Sequence, residues 1–418
     1  MRLVRASTGQ VLKLAASATL GAGGEAKVFA VLDAPELAAK VYHRPTAERA
    51  DKLAAMLANP PEDPMASQGH VSIAWPSDLL LSAHGPSQVM GFLMSRVRDM
   101  HPIIDFYHPK TRRHRHPLFN YLYLVRTARN LAACVNALHA RGYVVGDLNE
   151  SNILVGETAL VTLVDTDSFQ VPDPRNGQVY RCRVGKPEFT PPELQSVSFA
   201  WVDRKPEHDL FGLAVLLFQL LMEGIHPFAG KHLGRGEPLP LEARVAKGWF
   251  PYAPVGRAGT APMPMAPPFE LLPPRIRDLF VQCFNLGHTE PGRRPAAAVW
   301  QAALLEAEAS LTACAANPQH RYGNHLRACP WCERREMLDG IDPFPSLESL
   351  KRRFFARQRL RGRPLPRPAP AEYALAIAVA RAAIRRQRRN RVLMGLALAT
   401  TGILLAIYWL WALKLLLH

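Results

Sequence analysis

Cysteine is scarce in this chain, six in 418 residues, so a disulfide scaffold is excluded and a reducing compartment is the expectation. Residues 1–20 lack an apolar core followed by a small-residue cleavage site, and no signal peptide is expected there. No internal repeat is present, which sets aside solenoids and propellers. Acidic residues are almost missing from residues 351–391, where fourteen Lys or Arg meet the single acid Glu372 and supply thirteen of the sixteen net positive charges. That stretch carries neither interleaved aromatics nor an RNA-binding motif, so nucleic acid is not an expected partner. Outside it the chain is nearly neutral, and a hydrophobic fraction of 48% is ample for a full core.

What the chain does have is one long apolar run. Residues 392–413 are 22 positions without a formal charge, about 33 Å as a helix, enough to cross a bilayer. Tyr408, Trp409 and Trp411 sit toward its far end as interfacial aromatics, and Arg385, Arg386, Arg388, Arg389 and Arg391 abut the near end. A transmembrane helix over 392–413 is expected, behind a basic, Pro- and Arg-rich juxtamembrane linker over 346–391. By the positive-inside rule, residues 1–391 then face the cytoplasm of a single-pass inner-membrane protein, with about five residues beyond the membrane. A buried core helix is the competing reading.

The remainder reads as α+β. Short strand-like segments open the chain, and helices are expected near 47–57, 121–141 and 209–222, with strands near 152–155 and 160–164. Gly21, Ala22, Gly23 and Gly24 precede Lys27-Val28, a glycine-rich turn that fits either a plain hairpin or a phosphate-covering loop. Twelve residues past Val28, Lys40 sits inside an apolar strand-like run, where a lysine needs a partner or an exit to water. Asp147 and Asn152 lie five apart, and thirteen residues after Asn152 comes Asp165-Thr166-Asp167. One loop can then present a carboxylate to a hydroxyl and an amide oxygen to a cation, with a second carboxylate arriving nearby.

These motifs, in this order, resemble the catalytic elements of the eukaryotic-like Ser/Thr protein kinases of bacteria. The run from Val144 to Val155 resembles the kinase catalytic loop, and Asp165-Thr166-Asp167 stands where the family has its Asp-Phe-Gly segment. Pro191-Pro192-Glu193, Asp209-Leu210-Phe211-Gly212 and Arg293-Arg294-Pro295 extend the likeness over roughly residues 14–305. Within the family, a subgroup encoded beside PP2C-type phosphatases, some described as helix-hairpin-helix kinases, shares the Gly-Asp-Leu-Asn loop.

The resemblance implies a two-lobed protein-kinase-like fold over 1–305, with an N-lobe to about 94 and a C-lobe over 98–305. It implies ATP and Mg²⁺ as cofactors. Gly21, Gly23, Gly24, Val28, Lys40, Met94 and Val97 would hold the nucleotide, Asp147 would orient the acceptor hydroxyl, and Asn152 and Asp165 would hold Mg²⁺. Protein substrates and a PP2C-type phosphatase are the implied partners, and Arg294 with Glu193 the implied ion pair.

Departures are equally specific. Gly146 replaces the Arg that clamps a phosphorylated activation loop, so control by that modification is not expected. Asn149 replaces a Lys, which points to slow transfer or an altered acceptor, and Asp167 adds a carboxylate near the metal. A pseudokinase scaffold that binds nucleotide or a partner without transfer is the second reading. For the acidic partner of Lys40 the helix near 47–57 offers Glu48 and Asp51, of which Asp51 is favoured.

Past this region Cys314, His320, His325, Cys329 and Cys332 suit a tetrahedral zinc site in a module over 306–345. Cys314, His320, Cys329 and Cys332 are the chosen ligands, with His320 preferred over His325. A redox Cys pair and unligated thiols are the alternatives. His101, His108, His114 and His116, with their neighbouring arginines, are read as a solvated insert.

Overall fold

The computed structural model describes residues 1–83, 88–253 and 259–352, and residues 1–350 cluster as one compact unit. The expected membrane helix over 392–413 and most of the basic linker lie outside the described residues. Among the described residues, no helix is long and apolar enough to cross a membrane.

Six strands, β1 (Arg2–Arg5), β2 (Val11–Ala22), β3 (Ala26–Val31), β4 (Leu37–Tyr42), β5 (Pro76–Ser82) and β6 (Val89–Ser95), close into a barrel ordered β1-β2-β3-β4-β6-β5. Closure removes the exposed edge that an open sheet would carry. Leu3, Leu12, Leu14, Val31, Ala39, Val41, Leu80 and Leu93 fill its interior. Helix α1 (Ala47–Ala58) lies against β5 and β6, its start capped by Thr46, whose hydroxyl accepts from the Arg49 N–H at 3.3 Å.

After β6 the chain enters a helical lobe through β7 (His101–Pro102), α2 (Ile104–Tyr107), α3 (Pro109–Arg115) and the long α4 (Tyr121–Ala140). Strands β8 (Ile153–Val155) and β9 (Val161–Leu163) complete a three-stranded sheet with β7. Two small antiparallel pairs follow, β10 (Val171–Pro172) with β11 (Val179–Tyr180) and β12 (Lys231–His232) with β13 (Thr260–Ala261).

Helix α5 (Pro206–Leu221) is the pillar of this lobe: every residue from Asp209 to Leu221 is buried. A helix apolar on all sides has to be surrounded. Its Phe218 meets Phe250, Phe280 and Phe284 from α6 (Leu241–Ala246), α7 (Pro274–Val281) and the π-helical turn running into α8 (Gly287–Thr289), or from the segments next to them. It begins three residues earlier than the pattern of apolar residues suggests. Pro206 at the first helical position, with its φ preset, starts it there. Helix α9 (Ala297–Ala309) packs on α4, and beyond it β14 (Leu311–Ala313), β15 (Arg321–Gly323) and α10 (Pro330–Met337) build the cysteine module.

A six-stranded barrel followed by a mainly helical lobe is an α+β arrangement, as expected.

Candidate active site

The catalytic-loop residues are held from beneath by one carboxylate. Asp209, 2% exposed at the start of α5, accepts the N–H groups of Val145 at 2.7 Å and Gly146 at 2.8 Å, and faces His139 Nε2 at 2.9 Å. Charge-assisted bonds of this kind fix backbone, so the loop follows α5. Asp147 then projects into the cleft, where Asn149 Nδ2 donates to its Oδ1 at 2.7 Å and Asn152 Nδ2 to its Oδ2 at 3.3 Å. Burial raises the Asp147 pKa above the usual carboxylate value, and the two amide donors work against that rise.

Gly146 has φ +75°, and a Cβ there would meet Cys182 Sγ at 2.8 Å and Arg204 Nη1 at 3.0 Å. No arginine fits at this position. Instead Arg204, 4% exposed, reaches in from residues that follow the stretch over 165–193, which stands where kinases have their activation segment, donates to the carbonyl oxygens of Gly146 and Val184, and stacks on Phe199 at 3.9 Å. The segment is thereby tied to the catalytic loop through carbonyl groups, with no phosphate needed for this contact.

Across the cleft, β4 carries Lys40 into a nest of acids. Its Nζ donates to Asp165 Oδ1 at 2.5 Å and to Asp167 Oδ1, whose Oδ2 also accepts from Tyr42 OH at 2.8 Å. Burial alone would lower the Lys40 pKa, but Asp167 and Asp165 outweigh it and raise the value. The partner is therefore neither Asp51 nor Glu48. Glu48 pairs with Arg183 at 2.8 Å, and Asp51 is exposed. Sequence distance from a neighbouring helix was a poor guide because Asp165 and Asp167 arrive from more than a hundred residues away.

Lys52, one residue past Asp51 on α1, was missed. Its pKa is lowered to about 8 by burial, with Asp167 the main charge opposing that fall.

The remaining expected positions fall around this cleft. Gly23 and Gly24 form the β2–β3 turn, and Gly21 lies near the end of β2, opposite Val28. None of the three has a positive φ, and a Cβ on Gly21 or Gly24 would meet nothing within 4 Å. The fold itself thus does not demand glycine there, whereas a phosphate lying against the backbone would. Met94 is half-buried in β6, paired with Ala38 of β4, and Val97 follows the strand end.

The donor set fits a hard divalent cation. Asp165 is 43% exposed and in left-handed backbone (φ 61°, ψ 34°), and the Asn152 amide nitrogen is spent on Asp147, leaving its oxygen free for the ion. Val164 N–H to Asn152 O at 3.0 Å keeps the two ligands together.

Lys186 is a second residue that sequence reasoning missed. It lines a small cavity with Asp147 and Thr190 and donates to Glu150 at 2.8 Å and Ser151 at 2.5 Å, bringing positive charge to the loop from which Asn149 removed it. Arg294 and Glu193 pair through two bonds of 2.7 Å.

Cys314, His320, Cys329 and Cys332 converge as expected, while His325 turns away to the carbonyl of Glu270 at 3.1 Å. Cys314 and Cys332 Sγ are 3.7 Å apart, and His320 Nδ1 lies 3.5 Å from Cys329 and 3.6 Å from Cys332. A zinc tetrahedron with Zn–S of about 2.3 Å and Zn–N of about 2.05 Å has edges of about 3.8 and 3.5 Å. His320 Nε2 meets Asp342 Oδ1 at 2.9 Å, the carboxylate support that zinc-binding histidines usually have. The module is joined to the helical lobe by Trp331 against Tyr121 (4.9 Å between centroids) and by Arg334 to Glu223 at 2.7 Å.

The basic insert is only partly solvated. Arg112 and His116 are 1% and 4% exposed, packed on Phe344 and Phe106, because their aromatic neighbours accept the flat cations and rings.

No family model matches the chain. It is 37% identical over 329 residues to the protein kinase YegI of Escherichia coli strain K12, covering 78% of this chain and 49% of the relative. To the protein of the same name in strain O157:H7 it is 38% identical over 319 residues, 75% of this chain and 48% of the relative. The chain thus spans about half the length of these curated relatives. Among solved structures it aligns with the ROP18 kinase domain in complex with AMP-PNP and sucrose at 19% identity and a TM-score of 0.45, over 73% of this chain and 82% of that one.

Proposed function

We propose that this chain is an ATP-dependent protein kinase that phosphorylates Ser or Thr hydroxyls. One observation carries the reading: Lys40, Asp147, Asn152 and Asp165, from three separate segments, are joined by one run of contacts, Lys40 to Asp165, Val164 to Asn152 and Asn152 to Asp147. Bound ATP with Mg²⁺ would supply the transferable phosphoryl group. Lys40 then steadies the α and β phosphates, and Asn152 and Asp165 offer oxygens to the cation. Asp147 accepts a hydrogen bond from the acceptor hydroxyl through a carboxylate oxygen and takes its proton as the new O–P bond forms and the bond from the γ-phosphorus to the leaving ADP oxygen breaks. Its raised pKa suits a base that must hold that proton.

The sequence relationship to proteins named as kinases supports the reading. A structural zinc ion at Cys314, His320, Cys329 and Cys332, anchoring at the inner membrane through residues 392–413, and association with a PP2C-type phosphatase belong to the same proposal. So do the domain division at about residue 305 and the use of Met94 and Val97 against adenine.

The test is transfer of label from γ-labelled ATP by the full chain, with Asp147→Ala and Asp165→Asn beside it. Label that both variants lose, mapped to Ser or Thr, supports the proposal. Nucleotide binding without transfer would leave the scaffold reading, and neither binding nor transfer would end both.

A further inference from the structure

In phosphoryl transfer the strand lysine has to be aimed, and protein kinases aim it with a glutamate on the helix that packs beside it. Helix α1 has only two acids, Glu48 and Asp51, and neither reaches Lys40: one holds Arg183 and the other is exposed. The residue that α1 turns into the cleft region is a cation, Lys52, less exposed than either acid. Two carboxylates meet Lys40 from elsewhere, and they are not equivalent. Asp165 is 43% exposed at the cleft, while Asp167 is 8% exposed and bound at both oxygens, by Lys40 and by Tyr42 OH at 2.8 Å.

We propose that Asp167 is the positioning residue that anchors Lys40, in place of a helix acid. This rests on the kinase reading of the same cleft. Asp165 is the carboxylate that can turn to the metal; Asp167, buried and doubly bonded, stays on the lysine. An acid on α1 as well as Asp167 would leave an excess of buried negative charge, which is costly to keep. Because the anchor lies two residues from the metal ligand on the same loop, Lys40 is set by that loop and not by the position of α1. A partner that displaces α1 would therefore leave the Lys40 anchor intact.

The experiment uses the full chain as wild type, Asp167→Asn and Asp167→Asn/Lys52→Glu, each checked for an unchanged melting profile. Acylation of Lys40 by an amine-reactive reagent, followed by mass spectrometry without nucleotide, reads the anchor directly. Affinity for a non-hydrolysable ATP analogue with Mg²⁺, and the KM and kcat of transfer, read its consequence. Asp167→Asn should speed Lys40 acylation and weaken the analogue about tenfold, the loss of one charge-assisted hydrogen bond. The double variant, with an acid restored to α1, should recover most of both. Unchanged acylation and affinity in Asp167→Asn would overturn the anchor, and no recovery in the double variant would overturn the equivalence of Asp167 to a helix acid. A wild type that protects Lys40 but transfers no phosphate would count against the kinase reading while leaving the anchor standing.

Discussion

Acid should loosen the activation segment through one histidine. His226, 7% exposed, faces the carbonyl of Glu188 through Nε2 at 2.9 Å, while its Nδ1 accepts the Phe228 N–H at 3.2 Å. The neutral ring satisfies both contacts. A second proton would have to sit on Nδ1, against an N–H that already points there. Burial lowers the pKa to about 4, with the Glu188 carbonyl giving a small opposing pull, against 6.5 in the unfolded chain. Between those values the unfolded chain takes up a proton that the folded chain refuses, so stability is present above 6.5 and is lost as pH falls toward 4. For a single site this costs about 2 kcal/mol between pH 7 and pH 5, and about 3 kcal/mol once both states are protonated. Urea unfolding at the two pH values, on wild type and His226→Gln, isolates the effect, since other titrating groups act equally on both. Gln keeps a donor and an acceptor but cannot protonate, so it should remove about 2 kcal/mol of the pH dependence. The same slope in both proteins would refute the reasoning.

Glu193→Gln should destabilise the helical lobe by about 3 kcal/mol, since it leaves the fully buried Arg294 without its counter-charge, and calorimetric melting would measure it. One zinc ion per chain should be released by a chelator, with a fall in melting temperature; Cys332→Ser should bind none, and a metal-free chain with unchanged melting would contradict the site. Lys186→Ala is expected to lower kcat about tenfold with nucleotide affinity unchanged, if its charge offsets that of the transferred phosphate. Arg204→Ala should expose the segment around Val184 to proteolysis, because two carbonyl contacts to the catalytic loop are lost together.

Much of the site was readable where its parts lie close in sequence. Asp147 and Asn152 share one loop, so their spacing states their geometry, and the same holds for Cys329 and Cys332 on one turn. His320 over His325 was also legible, though the reason is visible only in space: Asp342 supports the one, and the Glu270 carbonyl holds the other. The apolar run of α5 announced a long helix, but its start at Pro206 lies three residues before the expected one. Reading the basic insert as solvated failed for Arg112 and His116, because charge in a sequence does not reveal an aromatic wall built by Phe106 and Phe344.

The sequence by itself determined the local elements and the order of the candidate site's parts, because hydrogen-bonded turns, helical periodicity and ligand spacing act over a few residues. The tertiary structure alone decided the charge pairings. Lys40 chose Asp167 over Asp51, and Arg204 took the space beside Gly146, each through packing between segments far apart in the chain. Coulomb attraction and burial depend on distance in space, and only the folded core sets that distance.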